Sequence, residues 1–195
     1  TVTDRNIVPY TFLRERSLVA ERILSRNQGI DNGNLRLATT YPYSDAPGQP
    51  VLGVYAGGSY HDVITFDESN TSLIMENGEV ANLAVDSIKE FSISGDSDSI
   101  TMITVYRING VRVTQTATLH RSSQSTIISY DVQSEGDSLI NLYIPVFFGF
   151  EPKSVSIDAE KHSIEVLQYL RTQSDRVNTR IDVASKEAIL QTAIH

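Results

Sequence analysis

The sequence predicts a mainly β protein, a two-layer antiparallel β-sandwich with one amphipathic helix at its N-terminal end. Three observations carry that prediction. The first is the stretch from Ile100 to Leu119, ITMITVYRINGVRVTQTATL, in which Asn109-Gly110 separates two alternating runs. Asn and Gly both accept positive φ, which a two-residue type I′ turn needs at both central positions, so the pair is a strong hairpin signal. The second is another such pair, Asn77-Gly78, between Leu73-Ile74-Met75 and the run after Val80. The third is the rhythm of the remainder: short strand-like runs at regular spacing, turn residues between them, and a single stretch of helical period.

A two-residue turn at Asn109-Gly110 dictates register. It sets Ile108 against Val111, Tyr106 against Val113, Thr104 against Gln115, Met102 against Ala117 and Ile100 against Leu119. Nearly all of that face is apolar. The other face carries Arg107 with Arg112, Val105 with Thr114, Ile103 with Thr116 and Thr101 with Thr118. This is the pattern of a sheet that covers a core on one side and meets water on the other.

The helix is expected from about residue 10 to 27. Pro9 suits a first helical position, and Phe12, Arg16, Val19, Ala20, Ile23 and Leu24 are spaced by three and four, with Asn27 to Gly29 as the stop. Residues 30–50 read as loop with a short strand at Asn34 to Thr40. Strands follow at Val51 to Ala56, Tyr60 to Phe66, Ser72 to Glu76, Ala81 to Val85 and Ser87 to Ser94. After the central hairpin come Ser125 to Ser134 and Ser138 to Phe148, the latter with Ile140, Leu142, Ile144, Val146 and Phe148 as one continuous apolar face. The last expected strands are Ser154 to Asp158, Ser163 to Thr172, Arg176 to Ala184 and Ala188 to Ile194. The domain plan is therefore a helical arm over 1–29 and a β-sandwich domain over 30–195.

Composition narrows the function classes. A chain of 195 residues with 40% hydrophobic content can bury one substantial core. Its net charge of −8 argues against nucleic acid and anionic lipid, because phosphate neutralisation needs clustered Lys and Arg. With no cysteine, disulfides, thiolate metal sites and Cys nucleophiles are excluded. No apolar run approaches the roughly 18–20 residues of a spanning helix, so no direct membrane insertion of this segment is expected. The acidic, Ser/Thr-rich composition, the leading helix, a start without Met and the acceptor pattern Asn70-Thr71-Ser72 lead to one expectation: an extracellular or cell-surface portion of a longer, membrane-anchored protein.

Candidate chemistry is sparse. His61, His120, His162 and His195 show no HxH or HExxH spacing, so no metal site is expected. His61-Asp62, beside Tyr60 and after Gly57-Gly58, is the most suggestive local group. Successive strand residues point to opposite faces, so these two form a dyad only where the strand bulges. His61, Asp62 and His120 are the catalytic candidates. Asp62, Asp67, Glu68 and Asp131 are carboxylates of the kind glycoside chemistry would need to converge. Gly95-Asp96-Ser97-Asp98-Ser99 resembles a calcium loop in outline but lacks the distal Glu and the flanking helices, and reads as an acidic turn. Tyr41, Tyr43, Tyr55 and Tyr60 cluster near loops and are the ligand-binding candidates, as stacking surfaces for sugar rings.

The order VRVTQTATLHRSSQSTIISYDVQSEGDSLINLYIPVFFG, from Val111 to Gly149, is similar to the long-stranded middle of galactose-mutarotase-like β-sandwich domains. That resemblance covers a run of hairpins ending in a hydrophobic strand, and includes no catalytic motif. It implies a large two-sheet sandwich with a carbohydrate-facing surface. The absence of Trp departs from the usual sugar-stacking platform. The sequence thus points to a non-catalytic ectodomain or accessory module with a glycan or protein partner and no cofactor. The rival is a carbohydrate-binding or glycan-active domain of the mutarotase-like class.

Overall fold

The computed structural model describes residues 8–12, 19–22, 27–40, 51–56, 59–66, 71–84, 87–135, 139–150, 152–170 and 176–184. In chain order its first strands are β1 (Val8–Phe12), β2 (Val19–Arg22), β3 (Asn27–Asp31), β4 (Leu35–Thr40), β5 (Val51–Ala56) and β6 (Ser59–Phe66). Next come β7 (Ser72–Met75), β8 (Val80–Asn82), β9 (Ile88–Gly95), β10 (Ser99–Ile108), β11 (Val111–His120) and β12 (Thr126–Ser134). The last are β13 (Ile140–Tyr143), β14 (Val146–Phe148), β15 (Pro152–Asp158), β16 (Ser163–Tyr169) and β17 (Arg176–Asp182). The protein is mainly β, and the described residues include no α-helix.

The N-terminal stretch differs from the expected helix wherever it is described. Val8–Phe12 and Val19–Arg22 are strands paired antiparallel, with Phe12 opposite Val19, and β1 also runs parallel to β3 with Tyr10 opposite Ile30. The composition VPYTF explains the outcome: Val, Tyr, Thr and Phe favour the pleated backbone, and pairing to a sheet overrides a spacing that also fits a helix. Residues 13–18 and 23–26 of the expected helix lie outside the described residues, as does the strand expected at Ala188 to Ile194.

The described strands form four sheets, in the orders β14-β6-β5-β4-β3-β1-β2, β12-β11-β10-β9, β13-β7-β8 and β15-β16-β17. The central hairpin has the expected register at every rung, from Ile108 opposite Val111 to Ile100 opposite Leu119. Asn109 at φ 47° and Gly110 at φ 78° are the left-handed pair that sets it. Asn77-Gly78 works differently. Only Gly78 has positive φ, the Gly78 N–H donates to the Met75 carbonyl, and the Met75 N–H donates to the Glu79 carbonyl. This is the three-residue loop in which a left-handed Gly follows an ordinary turn. The two loops touch, because Asn109 Nδ2 donates to Glu79 Oε1 at 2.7 Å.

The strand expected from Ser138 to Phe148 is split. β13 pairs with β7 in one sheet while β14 borders β6 in another, and Ile144-Pro145 lies between them. Pro145 has no N–H to give a ladder, so the change of sheet falls there. The apolar face survives the change: Ile140, Leu142, Ile144, Val146 and Phe148 are half-buried while Asn141, Tyr143 and Phe147 are exposed.

The inward face of β9–β12 organises the core. At one end Ile100, Met102, Ala117 and Leu119 pack with Ile30, Leu35 and Leu37 of the seven-stranded sheet. At the other, Tyr106, Val111 and Val113 pack with Leu73 of β7 and with Leu83. A polar rung separates the two clusters. Thr104 and Gln115 are both buried, and Gln115 Nε2 donates to the Tyr130 hydroxyl at 2.7 Å.

The chain divides into two compact units, Thr1–Phe147 and Phe148–His195. In the second, β15–β17 put Asp158, Glu165, Arg180 and Asp182 on one face. The opposite face carries Val155, Ile157, Ile164, Val166 and Ile181.

Candidate functional site

The sequence-predicted residues are dispersed. His61 is buried in β6 opposite Val54, and Asp62 pairs with Gly53. The strand does bulge, but one residue further on: Leu52 pairs with Ile64, so Val63 is the extra residue. His61 and Asp62 therefore occupy regular successive register positions, before the bulge. His120 ends β11 in the four-stranded sheet and is exposed. Its carbonyl accepts from Asn32 Nδ2 at 2.7 Å. Tyr55 is 46% exposed and faces Tyr60 across β5–β6. Tyr41, Tyr43, Asp67, Glu68 and Asn70 lie outside the described residues. Among the described residues no three His, Asp or Glu side chains gather as metal ligands.

The acidic turn after β9 closes on itself. Asp96 Oδ1 accepts from the N–H groups of Asp98 at 2.7 Å and Ser99 at 2.8 Å. Those two bonds hold the Asp96 carboxyl below its ordinary range. In the second unit a shallow polar depression of about 160 Å³ is lined by Ser156, Asp158, Lys161, Ser163, Glu165 and Arg180. Its charges are already matched. Lys161 Nζ lies 2.6 Å from Asp158 Oδ2, and Arg180 lies 2.8 Å from Asp182 and 3.6 Å from Glu165. The Lys161 ammonium and N–H hold Asp158 below the usual carboxylate range, and Asp182 raises Arg180.

The outward face of β9–β12 is arranged otherwise. Because the hairpin register is regular, its outward residues fall into four rows across the sheet. Ser94, Thr101, Thr118 and Ile127 make the first, and Ser92, Ile103, Thr116 and Ser129 the second. Glu90, Val105, Thr114 and Asp131 make the third, and Arg107, Arg112 and Gln133 the fourth. Thr114, Thr116 and Thr118 thus form a hydroxyl column down β11, flanked by serines on both outer strands. Thr101 and Thr118 hydroxyls lie 3.3 Å apart. The outward residues of β9 and β12 are mostly exposed, with Ile127 at 62%.

The fourth row is electrostatically incomplete. Arg107 and Arg112 stand directly opposite each other, an arrangement that repels in water and more strongly when shielded. Neither guanidinium has a hydrogen-bond or ion-pair partner among the described residues, and Arg112 Nε is shielded from solvent with nothing to donate to. The acid one row away on β12, Asp131, is engaged by Gln133 Nε2 at 2.6 Å.

Two structural residues stand out that the sequence does not advertise. Asn32, buried in the β3–β4 turn, donates to the carbonyls of His120 and Ser123 and accepts from the N–H groups of Asn34 and Leu35. Gln115 is the other. Asn in a short loop and Gln in an apolar strand carry no local mark of such roles. The Arg107–Arg112 rung, by contrast, follows from the turn register alone. Compared with known protein families, curated proteins and solved structures, the chain matches none.

Proposed function

We propose that this chain is a non-catalytic binding module of a larger protein, built as a two-layer β-sandwich that presents the outward face of β9–β12 to a ligand. One observation carries the reading: that face combines a threonine column, exposed serines and an exposed Ile127 with two arginines that have no partner among the described residues. Hydroxyls and guanidinium groups on a firmly packed sheet supply directional donors at low conformational cost. The sandwich reading is supported by the two core clusters, in which residues of the other sheets pack on the inward face of the same four strands. The partner class that suits such a face is a saccharide, whose hydroxyls exchange bonds with threonine and serine.

A second reading, a glycan-active domain of the galactose-mutarotase-like class, is favoured by one feature. Tyr55 is exposed opposite Tyr60 in the hairpin that also holds His61 and Asp62. A glycan array probed with the full chain and with Thr116→Lys tests the first reading, which expects binding that the bulky cation abolishes. Tyr55→Ala should leave that binding unchanged. Release of reducing ends from any polysaccharide, lost on His61→Ala, would replace the first reading with the second.

A further inference from the structure

We infer that the Arg107–Arg112 rung is a carboxylate-binding site and that the ligand is a saccharide carrying a uronic acid. This rests on the binding-module reading and names its ligand class. Two guanidinium groups fixed opposite each other by a type I′ register repel, and residues directly opposite in an antiparallel pair have Cβ atoms only about 5 Å apart. Among the described residues neither guanidinium has a hydrogen-bond or ion-pair partner. The acids of the same face, Glu90 and Asp131, lie one row away rather than in the rung, Asp131 accepts from Gln133, and Glu79 at the hairpin tip accepts from Asn109. A carboxylate placed over the rung would accept from both forks and supply the missing counter-charge, the strongest kind of hydrogen bond these groups make.

Burial sharpens the site. Val105, the neighbouring outward position on β10, is 2% exposed, and Arg112 Nε is shielded from solvent with no acceptor among the described residues. The unmatched Nε adds to the cost of the like-charged rung, and a carboxylate would be met by the outer N–H groups of the two guanidiniums.

The flanking acids limit the ligand's charge. Glu90 and Asp131 occupy the third row on either side, and the chain as a whole carries −8. A densely charged polyanion meets repulsion from all of these. A single carboxylate on an otherwise neutral chain does not. The hydroxyl column at Thr114, Thr116 and Thr118 leads away from the rung along β11, so a sugar chain anchored there by its carboxylate would run over hydroxyl partners.

Isothermal titration of the full chain with a short, otherwise neutral oligosaccharide bearing one hexuronate tests this, beside a neutral glucan and a sulfated glucan of equal length. The hexuronate should bind best, and Arg107→Gln/Arg112→Gln should weaken it by on the order of tenfold or more. The urea midpoint of that variant should not fall, which separates a lost ligand contact from a damaged fold. Hexuronate affinity unchanged in the double variant would overturn the inference, as would preference for the sulfated chain. Glucan binding equal to hexuronate binding and lost in Thr116→Lys would also overturn it, while leaving the binding-module reading in place. No saccharide binding in titration or array would remove both.

Discussion

At the scale of single residues, conformational freedom and local hydrogen bonding decide where the chain turns. Gly110 sits at φ 78° with open space where a Cβ would stand, so substitution there is costly for backbone reasons alone. Gly110→Ala should destabilise by about 1–2 kcal/mol in urea unfolding, and Gly78→Ala by a similar amount. Asn77→Ala should cost less, because Asn77 contributes only a side-chain bond to the Glu79 N–H. Asn32 is a sterner case. Asn32→Asp keeps its acceptor but sets a carboxylate against the carbonyls of His120 and Ser123, and should cost at least about 2 kcal/mol. The Asp96 turn responds to acid. Its carboxyl titrates below the ordinary 3.8 because the Asp98 and Ser99 N–H groups bond its charged form. The turn is therefore at full strength above that ordinary value and weakens as pH falls through the depressed one. A carbon-detected NMR titration should show this, and Asp96 titrating at or above 3.8 would refute the assignment.

At the scale of elements, the hairpin illustrates how much a turn can determine. Two residues with positive φ fix ten rungs from Ser99 opposite His120 to Ile108 opposite Val111, and with them the inward and outward faces. That much was legible from Asn109-Gly110 and an alternating pattern. The same dipeptide at Asn77-Gly78 marked a turn but not its type, since loop length depends on the strand ends that pack around it. The Ser138–Phe148 run was legible as an apolar face, and Pro145 as a flaw in it. Which sheet each half joins depends on contacts remote in sequence. The helix expected near the N-terminus is not confirmed: its described residues are paired strands, and spacing by three and four does not exclude such pairing. As for the site, the arginine rung was readable as a register, but its lack of a counter-ion depends on where Asp131 and Gln133 fall in three dimensions. Two element-level outcomes follow. Tyr130→Phe should lower stability by about 1–3 kcal/mol by leaving the buried Gln115 amide without that acceptor. Arg107→Gln should raise it by about 0.2–1 kcal/mol by removing a like-charge pair.

At the scale of the molecule, the account separates scaffold from surface. The inward face of β9–β12 commits its large side chains to two clusters and a polar rung. The outward face of the same strands carries the Arg107–Arg112 rung, whose guanidiniums have no partner among the described residues. His61, the leading catalytic candidate, is buried in a regular stretch of β6, and His120 ends a strand of a different sheet. The proposed division of labour is thus a packed interior supporting one ligand-binding sheet face. Amide chemical-shift mapping of the isotope-labelled full chain during addition of an otherwise neutral oligosaccharide bearing one hexuronate tests it most directly. The account predicts saturable shifts concentrated at Thr101, Arg107, Arg112, Thr114, Thr116 and Thr118, with the saccharide recovered intact. Shifts centred on Tyr55, Tyr60 and His61, accompanied by cleavage of the saccharide, would contradict it.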